Sequence, residues 1–467
     1  MTTNTTTDNH SSYDVIIVGA GIIGPTLSVA LADQGKSVLV VERDLSEPNR
    51  IVGELMQPGG LKALKALGFE SAIKDIDSIP VNGYEIIYHG NPINLPYTID
   101  PVTGKREEGR SFHHGRFVMK LREKMLATPG VTVLEAIVTD INRDEDSGRI
   151  TGVTVKNPKS GSIESYTSKV TVIADGTTSK FRKDFIARKP IVKSNFVGMV
   201  LTDADMPNPH HGHVILGDHA PILVYQIGTH ETRILCDVRG AGPLPSISSG
   251  AMKEYLLENV LPNMPESLQP SVKLAIYEGK FRTMPNQFLP STNPADAPDG
   301  LILLGDAWNM RHPLTGGGMT VALNDVVLLA KHLAPVTDLG DWPTVSDHLH
   351  DFYWERKNLG SVVNILAQAL YSLFAADNSN LQILQRGCFE YFKRGGLCVD
   401  EPISLLSGIL PRPMVLVMHF FAVALYAIRC NFYEKGLVGA PIAFIQAFTA
   451  LYTATIVILP FMLHELK

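Results

Sequence analysis

The feature that most constrains this chain is a run of glycines set directly behind a short apolar segment. Residues 14–18 (Asp-Val-Ile-Ile-Val) are rich in β-branched side chains and read as a buried parallel strand. They lead into Gly19-Ala20-Gly21-Ile22-Ile23-Gly24, a helical pattern to about Gln34, and a second apolar strand over 37–41 that ends at Glu42. Strand, turn, helix and strand in this order bury their apolar faces as a right-handed βαβ unit. Gly19 allows the tight turn, Gly21 lets a pyrophosphate approach the backbone, and Gly24 lets the helix pack closely on the strand. The helix N-terminus offers free N–H groups and a partial positive charge. Glu42, about 20 residues further on, is placed to accept hydrogen bonds from a ribose. The unit therefore reads as a dinucleotide site, with a nicotinamide and a flavin dinucleotide both open at this point.

Two distant segments narrow that choice. Residues 171–176 form an apolar strand ending in Asp175-Gly176, with Ser179 and Arg182 behind it. Residues 300–307 form another, ending in Gly305-Asp306, and are followed by Pro313-Leu314-Thr315-Gly316-Gly317-Gly318-Met319 and a helical pattern to about Leu333. A carboxylate at a strand end can bind a ribityl hydroxyl. A glycine-rich turn that opens a helix can set N–H groups against a pyrophosphate or a flavin edge. Three such motifs in this order favour FAD.

Composition excludes several other classes. With 41 basic and 47 acidic residues the net charge is −6, which argues against a nucleic-acid footprint. The four cysteines form no CxxC pair, which favours a reducing, cytosol-facing compartment over a disulfide scaffold. His113, His114 and His312 have no carboxylate or cysteine at a ligand spacing, so no metal site is expected. His210, His211 and His213, behind Pro207 and Pro209, read as a polar loop. No nucleophile elbow is present, and hydrolysis is not supported. The chain carries 19% charged residues, and the shortfall is concentrated near its end. Residues 414–428 carry no charge but as a helix cover only about 22 Å, short of a hydrocarbon core of about 30 Å. Residues 436–463 again carry no charge, interrupted by Gly439, Pro441 and Pro460. Apolar side chains lie on nearly every face, which points to a helical hairpin in or on a membrane. A buried helical pair in a large enzyme is the alternative.

The ordered set of motifs resembles the flavoprotein monooxygenases whose FAD-binding domain is split by a substrate domain. Longer stretches are similar to the squalene monooxygenase (squalene epoxidase) family. They are Glu42-Arg43-Asp44, residues 50–60, Val81-Asn82-Gly83-Tyr84, residues 112–117, residues 309–320 and residues 364–371. The resemblance implies FAD held by Gly19, Gly21, Ile22, Ile23, Gly24, Glu42, Arg43, Arg50, Leu55, Arg122, Val138, Asp306 and Met319. It places Tyr84 and Gln57 beside the flavin ring as catalytic residues, with no metal. It implies epoxidation of squalene to 2,3-oxidosqualene with O2, a step of sterol biosynthesis. Electrons would come from NADPH through a cytochrome reductase, because the single nucleotide fingerprint is taken by FAD. The implied location is the endoplasmic reticulum (microsomal) membrane with the catalytic part facing the cytosol, and lipid droplets as a second site. Membrane lipid would be a partner and nucleic acid would not.

The expected fold class is α/β. A Rossmann-type FAD-binding domain would take residues 13–78, 112–188 and 296–345, and an inserted antiparallel-sheet substrate domain residues 79–111 and 189–295. A C-terminal helical membrane-associated region would follow over 346–467, and residues 1–12 would form a disordered tail. Tyr371, Phe374, Phe389, Tyr391 and Phe392 are candidates for the wall of a long apolar pocket. A flavin hydroxylase of another apolar substrate and a flavin-binding protein without turnover remain open beside epoxidation.

Overall fold

The structure, a computed structural model, describes residues 12–239 and 244–465. The expected tail lies outside the described residues except for Ser12, which opens the first strand. That strand, Ser12–Val18, is flanked in parallel by Val38–Glu42 and by the C-terminal half of Ile163–Ile173. Val131–Glu135 extends the sheet beyond Val38–Glu42, and Leu301–Leu303 lies parallel to residues 171–173. Antiparallel strands Ile150–Lys156 and Ile137–Arg143 complete the seven. Val18 is in register with Ile173, and Ile173 with Leu303. The three motifs read from the sequence therefore leave the same edge of one sheet, at the carboxyl ends of its parallel strands, where open α/β sheets bind ligands.

The glycines hold that edge together. Gly19 has φ +105°, a conformation L side chains rarely adopt, and a Cβ there would lie 2.7 Å from the Ala174 carbonyl oxygen. A Cβ on Gly24 would lie 2.0 Å from the Gly19 carbonyl oxygen, so helix Ile23–Ala32 starts against the turn it caps. A Cβ on Gly21 would meet nothing within 4 Å beyond its chain neighbours. Gly305, at φ +61°, packs on the side chain of Ile23, which brings the last motif onto the first.

A second seven-stranded sheet runs in the order Arg282–Phe288, Ile191–Thr202, Glu231–Val238, Ile222–Gln226, Gly212–Leu216, Gly83–Tyr88, Asn91–Pro96. It corrects the antiparallel expectation at one place, since Gly212–Leu216 and Gly83–Tyr88 pair in parallel. The hairpin 83–96 comes from an earlier excursion of the chain and docks on the edge of the later meander. Strand alternation gives the sheet two apolar faces. Val197, Met199 and Ile234 pack under helices Ala251–Asn259 and Gln269–Glu278, while Phe196, Val214 and Leu235 face the C-terminal helices. The expected polar loop at 210–213 is corrected at His213, which lies in a strand at 1% exposure beside Glu85. A short sheet of Leu55–Met56, Gly109–Ser111 and Ile79–Val81 joins the two large ones. The junction is pinned by Glu54, whose two carboxylate oxygens accept from Arg233 Nε and Nη2 at 2.8 Å each.

Helix Gly318–Leu333 packs on Ile23–Ala32 and on the 34-residue helix Trp342–Ala375. The boundary expected at 345/346 falls inside this last helix, which starts with Pro343 in its first turn and continues without a break. Ser379–Phe392, Leu397–Leu406 and Pro413–Glu465 follow, the last being two helices joined at a kink at Gly436 (φ 59°, ψ −168°). Trp342–Ala375 and Pro413–Glu465 are each long and apolar enough to cross a membrane, the first being mostly buried inside the protein. The second exposes Met414, Leu425, Leu437, Val438, Phe444 and Phe448 among others.

Gly24→Ala is expected to destabilise the protein by about 1–3 kcal/mol, because its methyl meets backbone that cannot rotate away. Gly21→Ala should leave the melting temperature of the purified protein unchanged, since its Cβ enters open space. Thermal unfolding of the two variants side by side checks the contrast, and equal melting temperatures would refute it.

Candidate active site

The expected site residues gather in two groups along the strand-end cleft. The first surrounds the opening glycine turn. Glu42, at the end of its strand, accepts the Ala20 N–H at 2.6 Å and the Asp44 N–H at 3.1 Å. Arg122, on helix His114–Ala127, is 4% exposed and donates to the carbonyls of Ala20 and Ser46 at 2.9 Å each, with Glu42 at 3.8 Å. Its guanidinium shapes the glycine turn from behind. Arg43 is exposed beside Glu42. Val138 is 7% exposed in the core beneath, two residues past Ala136, whose N–H bonds the Glu42 carbonyl.

Asp306 stands between the two groups, in the turn behind Leu301–Leu303. Burial raises its carboxyl above the usual range, opposed by Arg311, Arg182 and Arg50 in that order. The residue nevertheless keeps exposed surface, so its carboxylate faces a cleft inside a crowded protein shell. Arg182 ties the second motif to the third by donating to the carbonyls of Thr177 at 2.5 Å and Ala307 at 3.1 Å. Arg50 is exposed at the same cleft.

The second group is built around Gln57, which is fully buried at the start of helix Pro58–Ala66. Its Nε2 donates to the Thr315 carbonyl at 2.7 Å and to the Tyr84 hydroxyl, and its Oε1 accepts the Tyr97 hydroxyl at 2.7 Å. The Tyr84 hydroxyl in turn donates to the Thr315 carbonyl at 3.3 Å. Burial pushes the Tyr84 phenol up to about 12, so it stays protonated as a donor. Leu55 and Met319 are both 7% exposed on either side of this cluster. Leu55 presses against Gly316, which sits at φ +61°, and Met319 lies in the first turn of Gly318–Leu333.

Sequence reasoning missed Tyr97, Thr315 and His312 as members of this cluster. Tyr97 follows directly on the strand that pairs with Tyr84, and the two rings meet edge to face at 6.2 Å. Hairpin register was the signal that could have found it. His312 accepts the Leu314 N–H at 3.2 Å and stacks on Tyr371 at 3.8 Å. Burial holds its imidazole down to about 3, which keeps it neutral and able to accept. His113 pairs with Glu231 at 2.6 Å and His114 meets the Gly53 carbonyl at 3.0 Å. Among the described residues no group of three potential metal ligands occurs.

An apolar cavity begins at this cluster. Tyr84, Leu314 and Thr315 form one end, Ile86, Leu95 and Val214 of the second sheet one wall, and the C-terminal helices the rest. Of the expected aromatic wall, Phe374 and Phe392 line it. Tyr371 instead bonds Asp237 and stacks on His312, Phe389 packs on Tyr88, and Tyr391 meets His419. Helix Pro413–Glu465 contributes Leu416, His419, Phe420, Val423, Ala424 and Ala454, so the C-terminal helices are part of the site and not an appendage to it.

A family model described as squalene epoxidase matches residues 167–445. The squalene epoxidase of Aspergillus fumigatus is 49% identical over 98% of this chain and 94% of its own length. That of Saccharomyces cerevisiae is 44% identical over 98% and 97%, and the squalene monooxygenase of Mus musculus 40% identical over 100% and 80%. Among solved structures, a p-nitrophenol 4-monooxygenase from Pseudomonas putida shares the fold with a TM-score of 0.69 at 15% identity, covering 86% of this chain and 100% of that one. A probable FAD-dependent monooxygenase from Pseudomonas aeruginosa does so with a TM-score of 0.63 at 21% identity, over 78% and 97%. By sequence over nearly its whole length, this chain belongs to the squalene epoxidase family.

Proposed function

We propose that this chain is an FAD-dependent monooxygenase that epoxidises squalene to 2,3-oxidosqualene, a step of sterol biosynthesis. The observation that carries the reading is the apolar cavity whose end wall is Tyr84 and Thr315, the two groups that also fix Gln57 to the last glycine motif. A hydrocarbon with no polar handle can be recognised only by shape and burial, and this cavity offers little else.

The cleft residues fit an elongated dinucleotide. The free space at Gly21, beside the tight contacts at Gly19 and Gly24, leaves room for a pyrophosphate at a helix N-terminus. Glu42 and Arg43 stand at the adenosine end, with Arg122 and Val138 behind them. Asp306 faces the cleft where a ribityl chain would pass, and Leu55, Gln57 and Met319 border the flavin end. Bound FAD supplies the reduction of dioxygen and the transfer of one oxygen atom to an alkene. The protein's own work is orientation and exclusion of water. The neutral Tyr84 hydroxyl and the Gln57 amide hold the Thr315 carbonyl, and with it the turn 313–316, in one position. Apolar side chains beyond Tyr84 keep the cavity dry and guide one end of the substrate to that turn.

The electron donor belongs to the same reading: NADPH through a separate cytochrome reductase. The apolar exterior of Pro413–Glu465 supports attachment to the endoplasmic reticulum membrane, catalytic part toward the cytosol, with lipid droplets as a further location.

Purified full-length protein in detergent, given reductase, NADPH, oxygen and squalene, should yield a product heavier by one oxygen atom. Bound, reducible flavin with no such product would overturn epoxidation. Asp306→Ala is expected to lose most bound FAD, because a charge-assisted hydrogen bond is worth about 1.5–3 kcal/mol. Flavin at wild-type stoichiometry after gel filtration would remove Asp306 from the cofactor site. Tyr84→Phe should keep the fold and the flavin while turnover falls about tenfold, the cost of roughly one buried hydrogen bond. Gln57 retains its bond to Thr315 in that variant, so unchanged turnover would show that the hydroxyl has no part in orienting the turn.

A further inference from the structure

The C-terminal helix ends in a buried carboxylate that the activity described above does not use. Glu465 is 7% exposed, at the end of an otherwise apolar helix. An ionised group in such a segment is costly unless it is fully partnered, and it marks a specific contact. Here it is partnered three times. Its Oε2 accepts from Lys357 Nζ at 3.2 Å and Ser361 Oγ at 3.1 Å, and its Oε1 accepts from Asn364 Nδ2 at 2.8 Å.

Asn364, 1% exposed, passes the contact on. Its Oδ1 accepts from Arg311 Nε at 2.7 Å, and its Nδ2 also reaches Asn309 Oδ1 at 3.2 Å. Arg311 is thereby held in a fork. Its Nη2 donates to Asn309 Oδ1 at 2.6 Å and its Nη1 to the Gly318 carbonyl at 3.3 Å, in the turn that opens helix Gly318–Leu333. Arg311 is also the cation with the largest influence on Asp306. Three regions distant in the sequence thus meet in one chain of contacts: the last turn of the C-terminal helix, the middle of Trp342–Ala375, and the stretch from 309–311 to the glycine motif.

We infer that Glu465 and Asn364 are positioning residues that hold the Arg311 guanidinium at the last glycine turn, so that docking of the C-terminal helix sets the affinity of the cofactor cleft. The inference rests on the proposal that FAD occupies that cleft. Without Glu465, the Asn364 amide keeps Asn309 Oδ1 at 3.2 Å but loses its shorter acceptor, so the orientation that presents its Oδ1 to Arg311 Nε is less firmly fixed. The cation then samples other positions around an anionic ligand whose binding depends on a fixed positive charge.

The test uses full-length apoprotein in detergent, with FAD affinity read from quenching of flavin fluorescence and stability from thermal unfolding without FAD. Asn364→Ala should weaken FAD binding about tenfold, the equivalent of one oriented charge-assisted contact. Glu465→Ala should weaken it in the same direction, and Glu465→Gln, which keeps an acceptor for Asn364, should restore it. The double variant Asn364→Ala/Glu465→Ala should bind no worse than Asn364→Ala alone, because the carboxylate acts through the amide. Glu465→Ala with a lower melting temperature and unchanged FAD affinity would overturn the inference and leave a structural clip. Effects that multiply in the double variant would also overturn it. Where Glu465→Ala does not fold, Asn364→Ala carries the test, and unchanged affinity there overturns the inference. Wild-type protein that binds no FAD would refute the cofactor reading itself, an outcome separate from any difference among the variants.

Discussion

The amide of Gln57 is the joint on which the candidate site depends. Both of its N–H bonds and its carbonyl are committed inside the protein, to Thr315, Tyr84 and Tyr97. A buried amide that lost one of these partners would be left with an unsatisfied group, at a cost of about 1–3 kcal/mol. The three partners come from the second sheet and from the last glycine motif, so one side chain fixes the distance between two layers of the fold. Glu54, three residues earlier, does the same work through charge by gripping Arg233 with both oxygens. A bidentate pair of this kind sets orientation as well as separation. The segment 54–57 is short, and its rigidity is imposed from outside.

Electrostatics divides the cleft into unlike halves. Around Asp306 stand Arg311, Arg182 and Arg50, which oppose the penalty of burying its carboxylate. Past Thr315 the lining turns apolar, and at the boundary Tyr84 and Tyr97 are held neutral by raised pKa values and His312 by a lowered one. These shifts have the same cause, desolvation, acting on groups of opposite charge type. The transition from a charged cleft to a dry cavity therefore takes place within the turn 312–316.

The βαβ unit and the two later strand ends were legible because their signals are local. β-branched runs of four to seven residues, glycines at fixed offsets and an acid at the next strand end each depend only on neighbours in the chain, and Gly19, Gly24, Glu42 and Asp306 stand where that pattern puts them. The resemblance to a family supplied Gln57 and Tyr84, which no periodicity marks. What stayed illegible is pairwise and distant. Tyr97 needed the register of a hairpin, and Glu465 needed a partner 101 residues away. His213 was misread because a histidine cluster behind prolines looks polar, whereas 213 falls in a strand buried on both faces. The parallel pair in the second sheet was hidden for the same reason, since a hairpin's docking edge is not written in either strand.

The C-terminal helices explain why their sequence is apolar all round. On the first arm of Pro413–Glu465, Leu416, Ala424 and Ala427 point inward at 2% exposure or less, while Met414, Met418 and Leu425 point outward at 55% or more. On the second arm, Ala443, Ala450, Ala454 and Ile458 form the inward stripe, with Phe444, Phe448, Tyr452 and Ile456 on the opposite side. A helix with one aqueous face carries an apolar stripe of limited width. These helices have none, and each face meets a different apolar surrounding: the cavity or helix Ser379–Phe392 within, and on the reading proposed above lipid without. The small inward residues let the helices approach closely, as Gly387 shows by facing Ala427 with no room for a Cβ. A wall only one helix thick then separates the cavity from the outer apolar surface. For a substrate dissolved in lipid, that arrangement makes the path to the cavity short and apolar throughout, with the charged cleft on the far side of Thr315.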